Sequence, residues 1–283
     1  MQPEQIDTFL DLCQTRSFNR TAERLGVTQS TVSGRVAALE EALAVRLFDR
    51  SRAGTALTPE GRRFEAHAIR LRQEWQEARR RIRVPAHGTE ELRLGIEADL
   101  AALFTGEWVA AVRRAFPQLA LEIMAQDAPA LCAGLLAGEL DFALCYNPAP
   151  HPELTIEPLV EVALSMVSTL GPDLSAQRPD AFILAAISPE VAAAQRHALP
   201  DLAATPLRAN LSGAVVAMLT GMGGAAFMLA RAASPLLESG GFVRVADAPI
   251  LRQPVQAVWP RRHDGAGLHR RLLRISRRML AGG

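Results

Sequence analysis

At 283 residues and 49% hydrophobic content, the chain is long enough for two or three domains with cores of their own. Its net charge is only +1 but unevenly spread: residues 1–87 carry 15 Arg against 11 acids, 88–251 carry 8 against 18, and 252–283 carry 8 against one. A basic head on an acidic body fits a chain whose head alone meets nucleic acid, and three scattered Cys argue against a disulfide framework.

The first helix is expected over residues 4–15, where Ile6, Phe9, Leu10 and Cys13 recur at helical spacing. Ser17 is a cap for a second helix, 18–25, which buries Phe18, Ala22 and Leu25. Gly26 ends it, since glycine accepts the left-handed conformation at little cost. Thr28 caps a third helix, 29–46, with Val32, Val36, Leu39 and Leu43 on its inner face. Two short helices joined by a tight turn with Gly form a helix-turn-helix signature. The outer face of the third helix carries Gln29, Ser30, Thr31, Ser33 and Arg35. Gln pairs with adenine in the major groove, Arg favours guanine, and hydroxyls serve either partner. The alternative is a capped helix with a merely polar face. Beyond it, Arg50, Arg52, Gly54 and Leu57 suggest a two-stranded wing whose arginines meet phosphates, giving affinity and register but no sequence readout.

The run 9–61 resembles the N-terminal domain of LysR-type transcriptional regulators. The matching residues are Phe9, Ser17-Phe18, Ala22, Leu25, Thr28-Gln29-Ser30, Val32-Ser33, Leu39-Glu40, Leu43, Leu47-Phe48, Arg50, Leu57-Thr58 and Gly61. Thr21 and Ala44 depart from the usual Ala and Gly, and Gly34 removes a side chain from the reading face. Ala44 is expected to cost little, because Ala favours helix. The reading face and the wing together with the resemblance give the expected DNA-binding residues as Thr28, Gln29, Ser30, Thr31, Ser33, Arg35, Arg50 and Arg52.

Thr58-Pro59-Glu60 is a helix start: hydroxyl cap, Pro first, acid in the first turn. Phe64, Ala68, Leu71, Trp75, Ala78 and Ile82 then step as a heptad seam on an otherwise charged helix. Such a seam pairs with a second copy, or else packs on its own domain. The resemblance favours a homodimer that pairs again into a tetramer, a two-fold dimer offering two reading helices to two half-sites. Pro85, His87 and Gly88 end the helix and form a hinge.

Beyond the hinge, strands and helices alternate: strand 92–96, helix 100–116, strand 119–124, helix 129–136 and strand 141–146. A long apolar strand, 159–169, enters a second lobe. Next come strand 182–187, helix 190–197, strand 207–211, helix 214–220 and strand 225–229. Strand 255–259 crosses back, and helix 267–280 packs on the first lobe through Leu268, Leu272, Ile275 and Met279. Two lobes joined by two crossovers make a hinged clamp with its ligand in the cleft. This part resembles the periplasmic-binding-protein-like effector domain of the same regulators, on Phe116-Pro117, Gly138-Glu139-Leu140-Asp141-Phe142-Ala143 and Gly221-Met222-Gly223. The expected architecture is therefore α/β, with an N-terminal all-α winged helix-turn-helix (1–58), a long linker helix and hinge (59–88) and a two-lobed effector domain (89–283). Lobe one is 89–161 plus 266–283 and lobe two is 162–265.

Ligands in open α/β sheets sit beyond the carboxyl ends of strands. That rule puts Glu97, Ala98, Asp99, Gln126, Asp127, Tyr146, Asn147, Asn210 and Ser212 around the cleft. The resemblance implies small hydroxyl residues after the first strand, where helix N-termini attract carboxylates. Glu97 and Asp99 stand there instead, which suggests a neutral or cationic effector, unless Asp99 merely caps the helix beginning beside it.

Other chemistry is thin. Cys132 and Cys145 invite an alternative, an oxidant-sensing regulator using Cys or Met chemistry, against the simpler reading of two apolar core cysteines. The six His show no metal spacing, Gly221-Met-Gly-Gly reads as a turn, and no nucleophile–base set suggests an enzyme. A ligand-binding or enzymatic α/β protein with an accessory head is the reading from another class. The paired Arg of the last helix read as a solvated face, or as contacts to DNA or a partner subunit. The uncharged stretch 209–230 reads as helix, Gly turn and buried strand rather than a membrane span, and residues 1–12 lack a signal peptide's basic start. The expected protein is cytoplasmic, without metal or cofactor, and its partners are double-stranded promoter DNA and a small-molecule effector.

Overall fold

A computed structural model of the chain describes residues 2–51, 54–82, 90–261 and 267–281. Backbone contacts divide it into two compact units: Met1–Gly88 with Leu136–Glu139, and Thr89–Leu135 with Leu140–Gly283.

The head is built from α1 (Pro3–Thr15), α2 (Phe18–Leu25), α3 (Gln29–Leu43), strands β1 (Phe48–Ser51) and β2 (Gly54–Leu57), and α4 (Pro59–Ile82). Ser17 Oγ accepts from Arg20 N to open α2, and Gly26 closes it at φ 63°. Thr28 Oγ1 accepts from Thr31 N to open α3. The core gathers Ile6, Phe9, Leu12, Phe18, Val32, Val36, Leu39 and Leu47.

α3 stops at Leu43, three residues before the end expected from sequence, and Ala44 takes the left-handed conformation at φ 55° and ψ 28°. The expectation that Ala44 is cheap because it extends a helix is therefore corrected: a Cβ is held where glycine is preferred. The chain turns because Glu40 captures the start of the wing, its Oε1 accepting from Leu47 N (2.7 Å) and Phe48 N (3.2 Å). β1 and β2 then pair antiparallel, Phe48 opposite Leu57 and Arg50 opposite Thr55.

The seam on α4 is not uniform. Phe64 meets Phe9 with ring centroids 5.1 Å apart, and Ala68 is fully buried in the head core. These two positions, expected to face a second copy, are used within the chain. Phe9 supplies an apolar wall for Phe64, and Ala68 joins the same core.

The body has one curved sheet in the order β4-β3-β5-β11-β6-β9-β7-β8, with β10 (Val243–Arg244) on the far end of β6. β3 (Glu91–Glu97) runs parallel to β4 (Ala120–Gln126) and β5 (Phe142–Tyr146). β7 (Phe182–Ala185) runs parallel to β8 (Leu207–Ala209) and β9 (Ala225–Leu229). The two parallel sets are joined by long antiparallel strands, β6 (Leu154–Ser168) and β11 (Leu251–Pro260). β6 pairs with β11 from Leu154 to Leu164 and with β9 from Leu164 to Ser168, so the hand-over between lobes falls at Leu164. The crossover begins five residues before the expected 159. Pro158 reads as a break in the sequence, but a register shift beside Val255 and Gln256 accommodates it.

The helices are α5 (Ala98–Ala115), α6 (Ala128–Ala137), α7 (Pro189–Ala198), α8 (Pro200–Ala203), α9 (Ser212–Met222), α10 (Ala230–Glu238) and α11 (Gly267–Ala281). α10 was not expected, because Pro235 lies within it; it still buries Ala232, Ala233 and Leu236. α11 docks on α5 with Leu272 and Met279 buried, as expected, and with Trp108 Nε1 donating to Ser276 Oγ at 3.0 Å. A buried ion pair anchors the start of β3: the Arg93 guanidinium donates to both oxygens of Asp141 (2.8 and 3.3 Å). No helix among the described residues is long and apolar enough to cross a membrane.

Candidate functional site

Two places in the chain hold the residues expected to bind, and the first is the exposed start of α3. Thr28, Gln29, Ser30 and Thr31 are all exposed and Ser33 is half-buried. Thr28 Oγ1 lies 2.8 Å from both Ser30 Oγ and Thr31 Oγ1, and Gln29 Nε2 donates to Ser33 Oγ at 3.1 Å. These short side chains hold one another in place at a helix N-terminus, the part of a recognition helix that reaches base edges. An ideal Cβ on Gly34 meets nothing within 4 Å, so the gap in the face is open space.

Arg35 does not point wholly outward. It is half-buried, and its Nη1 donates to Thr8 Oγ1 on α1 at 3.3 Å. It braces α3 against α1, which removes part of its freedom to read a base. Arg50 lies on β1, but its side chain falls outside what is described, and Arg52 lies outside the described residues altogether. Glu40, which ties the end of α3 to the wing strand, was missed as a positioning residue. Its place seven residues before the amide it captures was the available signal.

On α4, Leu71 (39%), Trp75 (49%) and Ala78 are exposed, while the side chain of Ile82 falls outside what is described. A Trp half in water on a charged helix is an unpartnered apolar surface.

The second place is the cleft of the body. Glu97, at the end of β3, is buried and its Oε2 accepts from Tyr146 N at 3.0 Å. Burial pushes its carboxyl up to about 7; Asp127 and Asp99 add to the rise, and the amides of Tyr146 and Ala128 oppose it. Asp99, in the first turn of α5, is also buried, and burial raises its carboxyl above the usual range against hydrogen bonds from Ser212 and Tyr146. Its Oδ1 accepts from Ser212 N at 2.6 Å and its Oδ2 from the Tyr146 hydroxyl at 3.2 Å. The Tyr146 phenol is driven well above its ordinary value by burial and by Asp99.

Asp99 therefore does not cap its own helix. It crosses from lobe one to the first residue of α9 in lobe two, where Leu211 supplies no side-chain cap. Asp99, Tyr146 and Ser212 were expected to line an open site; the structure joins them to one another instead. Asp127 caps α6 through Ala130 N at 3.0 Å. Ala98 is half-buried, and among the described residues no hydrogen bond ties Gln126, Asn147 or Asn210 to this cluster; Asn147 has a left-handed backbone at φ 39°. A second tie between the lobes was missed: Arg231 on α10 donates to Glu107 on α5 at 2.9 Å and lies 5.0 Å above the Phe104 ring. Close by, Cys132 and Cys145 bear on each other, which lowers the Cys132 thiol and, with burial, raises that of Cys145.

On α11, Arg271 stacks over Phe116 at 5.0 Å and Arg277 donates to Glu157 at 3.2 Å, so part of the basic face is engaged locally. Among the described residues no group of three or more His, Cys, Asp or Glu is arranged to hold a metal ion.

The model of the bacterial regulatory helix-turn-helix protein, lysR family, matches residues 3–62, and that of the LysR substrate binding domain matches 85–281. The HTH-type transcriptional regulator HdfR of Yersinia pestis is 29% identical over 284 residues, which span 97% of this chain and 96% of HdfR. Among solved structures, ArgP of Mycobacterium tuberculosis is 21% identical with a TM-score of 0.58, covering 98% of each chain. LysG of Corynebacterium glutamicum, solved with bound effector Arg, is 17% identical with a TM-score of 0.58, covering 100% of this chain and 99% of LysG. At these identities the structures attest a shared fold.

Proposed function

The chain belongs to the LysR family of transcriptional regulators, and on that premise we propose how its own residues perform the role. Gln29, Ser30 and Thr31 read base edges in a major groove, with Ser33 behind them. Arg50 and Arg52 hold phosphates, and Arg35 chiefly sets the angle of the reading helix. Leu71, Trp75 and Ala78 join two copies, with Ile82 completing the seam, and pairs of dimers form a tetramer. The protein works in the cytoplasm as a regulator rather than an enzyme. A small molecule bound between the lobes changes their closure, and with it the spacing of reading helices on DNA.

The observation that carries this reading is the exposed, mutually braced hydroxyl and amide cluster at the start of α3. It is tested by nuclease protection of DNA flanking the gene. Two protected half-sites spaced by whole helical turns support it. Uniform protection along the fragment overturns it.

A second reading, oxidant sensing, draws on the neighbouring thiols of Cys132 and Cys145, each of which shifts the other. Peroxide would take two electrons and two protons from the pair, leaving a disulfide and water. A Cys145→Ser chain whose DNA binding still responds to peroxide removes it.

A further inference from the structure

The first turn of a helix leaves backbone N–H groups without partners, and its dipole favours an anion there. In lobe two that position is the start of α9, and here an anion already fills it. Asp99 reaches it from lobe one, with Oδ1 2.6 Å from Ser212 N. The Tyr146 hydroxyl, from the end of β5, holds the other oxygen at 3.2 Å. Asp99 is only 4% exposed; Ser212 and Tyr146 hydrogen-bond it, and the Glu97 carboxyl lies within electrostatic reach. Within lobe one the start of α6 is likewise held by a carboxylate of the chain, Asp127 capping it through Ala130 N at 3.0 Å, while Glu97 takes the Tyr146 amide at 3.0 Å. Both helix N-termini beside the cleft are thus satisfied by carboxylates of the chain itself.

We propose that Asp99 is a built-in ligand: its carboxylate occupies from lobe one the anion position at the N-terminus of α9 in lobe two, latching the cleft and excluding carboxylate effectors. The proposal rests on the reading of the cleft as the effector site. An incoming carboxylate would have to displace Asp99 or share its N–H donor beside a like charge in a buried setting, which is strongly disfavoured. A neutral or cationic molecule with hydrogen-bond donors faces no such repulsion, and that is the class the cleft selects.

The test uses the full chain with sodium acetate as probe and sodium chloride at equal ionic strength as control. In the unsubstituted chain, thermal unfolding of the body is expected to be the same in the two salts, and the Ser212 amide to be protected from hydrogen exchange. In Asp99→Ser the amide loses protection, and acetate restores both protection and melting temperature with a saturable dependence. In Asp99→Asn the side-chain carbonyl still accepts, but without charge, so exchange at Ser212 quickens by about tenfold. A saturable acetate effect on the unsubstituted chain overturns the proposal. So does a Ser212 amide that stays protected in Asp99→Ser, or one that exchanges equally fast in the unsubstituted chain and Asp99→Asn. Should Asp99→Ser fail to fold, the unsubstituted chain and Asp99→Asn still decide. DNA binding that ignores every cleft variant would sink the effector reading while leaving the built-in ligand intact.

Discussion

Gly61 fixes how the linker helix leaves the head, and Gly61→Ala should disturb that junction more than any other single methyl. An ideal Cβ there lies 2.1 Å from the Leu47 carbonyl oxygen and 2.8 Å from Leu57 Cδ2. The leucine tip can rotate away. The carbonyl cannot, because it accepts from Thr58 N at 3.0 Å while Thr58 Oγ1 donates to Arg46 O and accepts from Gly61 N. Relief requires α4 to move by about 1 Å from the Leu47 backbone ahead of β1, an overpacking cost of about 3 kcal/mol. Loss of the Thr58–Leu47 bond adds about 1 kcal/mol, and the better helix propensity of Ala returns about 1 kcal/mol. The net is about 3 kcal/mol, which for a unit of this size lowers the melting temperature by more than about 12 °C. Calorimetry and far-ultraviolet circular dichroism on the full chain measure it. A head transition within about 2 °C of the unsubstituted chain would refute the described junction.

Ala44→Gly has the opposite sign: relief of the left-handed Cβ, less the added freedom of the unfolded chain, raises head stability by about 0.5–1 kcal/mol in urea titrations. Trp75→Glu should leave the head folded, since Trp75 is 49% exposed, and convert a dimer to a monomer in sedimentation equilibrium; an unchanged mass contradicts the seam. Glu97 gives a pH signature. Its folded carboxyl sits near 7 against an ordinary 4.5, so the folded state holds the proton longer. Stability of the body should therefore fall as pH rises through that window and level off above it. Glu97→Gln should flatten part of the fall, the remainder coming from Asp99, whose carboxyl is raised in the same direction; a profile as steep as before contradicts the assignment.

Local signals made the head legible. Ser17, Gly26 and Thr28 act through their own neighbours, and α2 falls where their spacing puts it. The early end of α3 was not legible, because it depends on Glu40 reaching an amide seven residues on. The seam misled over Phe64 and Ala68 because heptad spacing looks the same whether the wall is a second copy or Phe9. In the body, the alternation of strand and helix patterns located every strand but the two-residue β10 and every α-helix but α8 and α10, while Pro158 and Pro235 hid a crossover's start and a helix. The strand-end rule found Asp99, Tyr146 and Ser212. That they satisfy one another depends on a contact across 113 residues, which no local pattern encodes.

The central claim, that the start of α3 reads sequence, is tested most directly by salt titration of DNA affinity. Binding of the full chain to its protected site and to random duplex would be compared with that of Gln29→Ala and Ser30→Ala. Each variant is expected to lose about 1–3 kcal/mol of preference for the site while the dependence on salt keeps the same slope, because the phosphate contacts are untouched. An unchanged preference, or a loss shared equally by random duplex with a shallower slope, would contradict it.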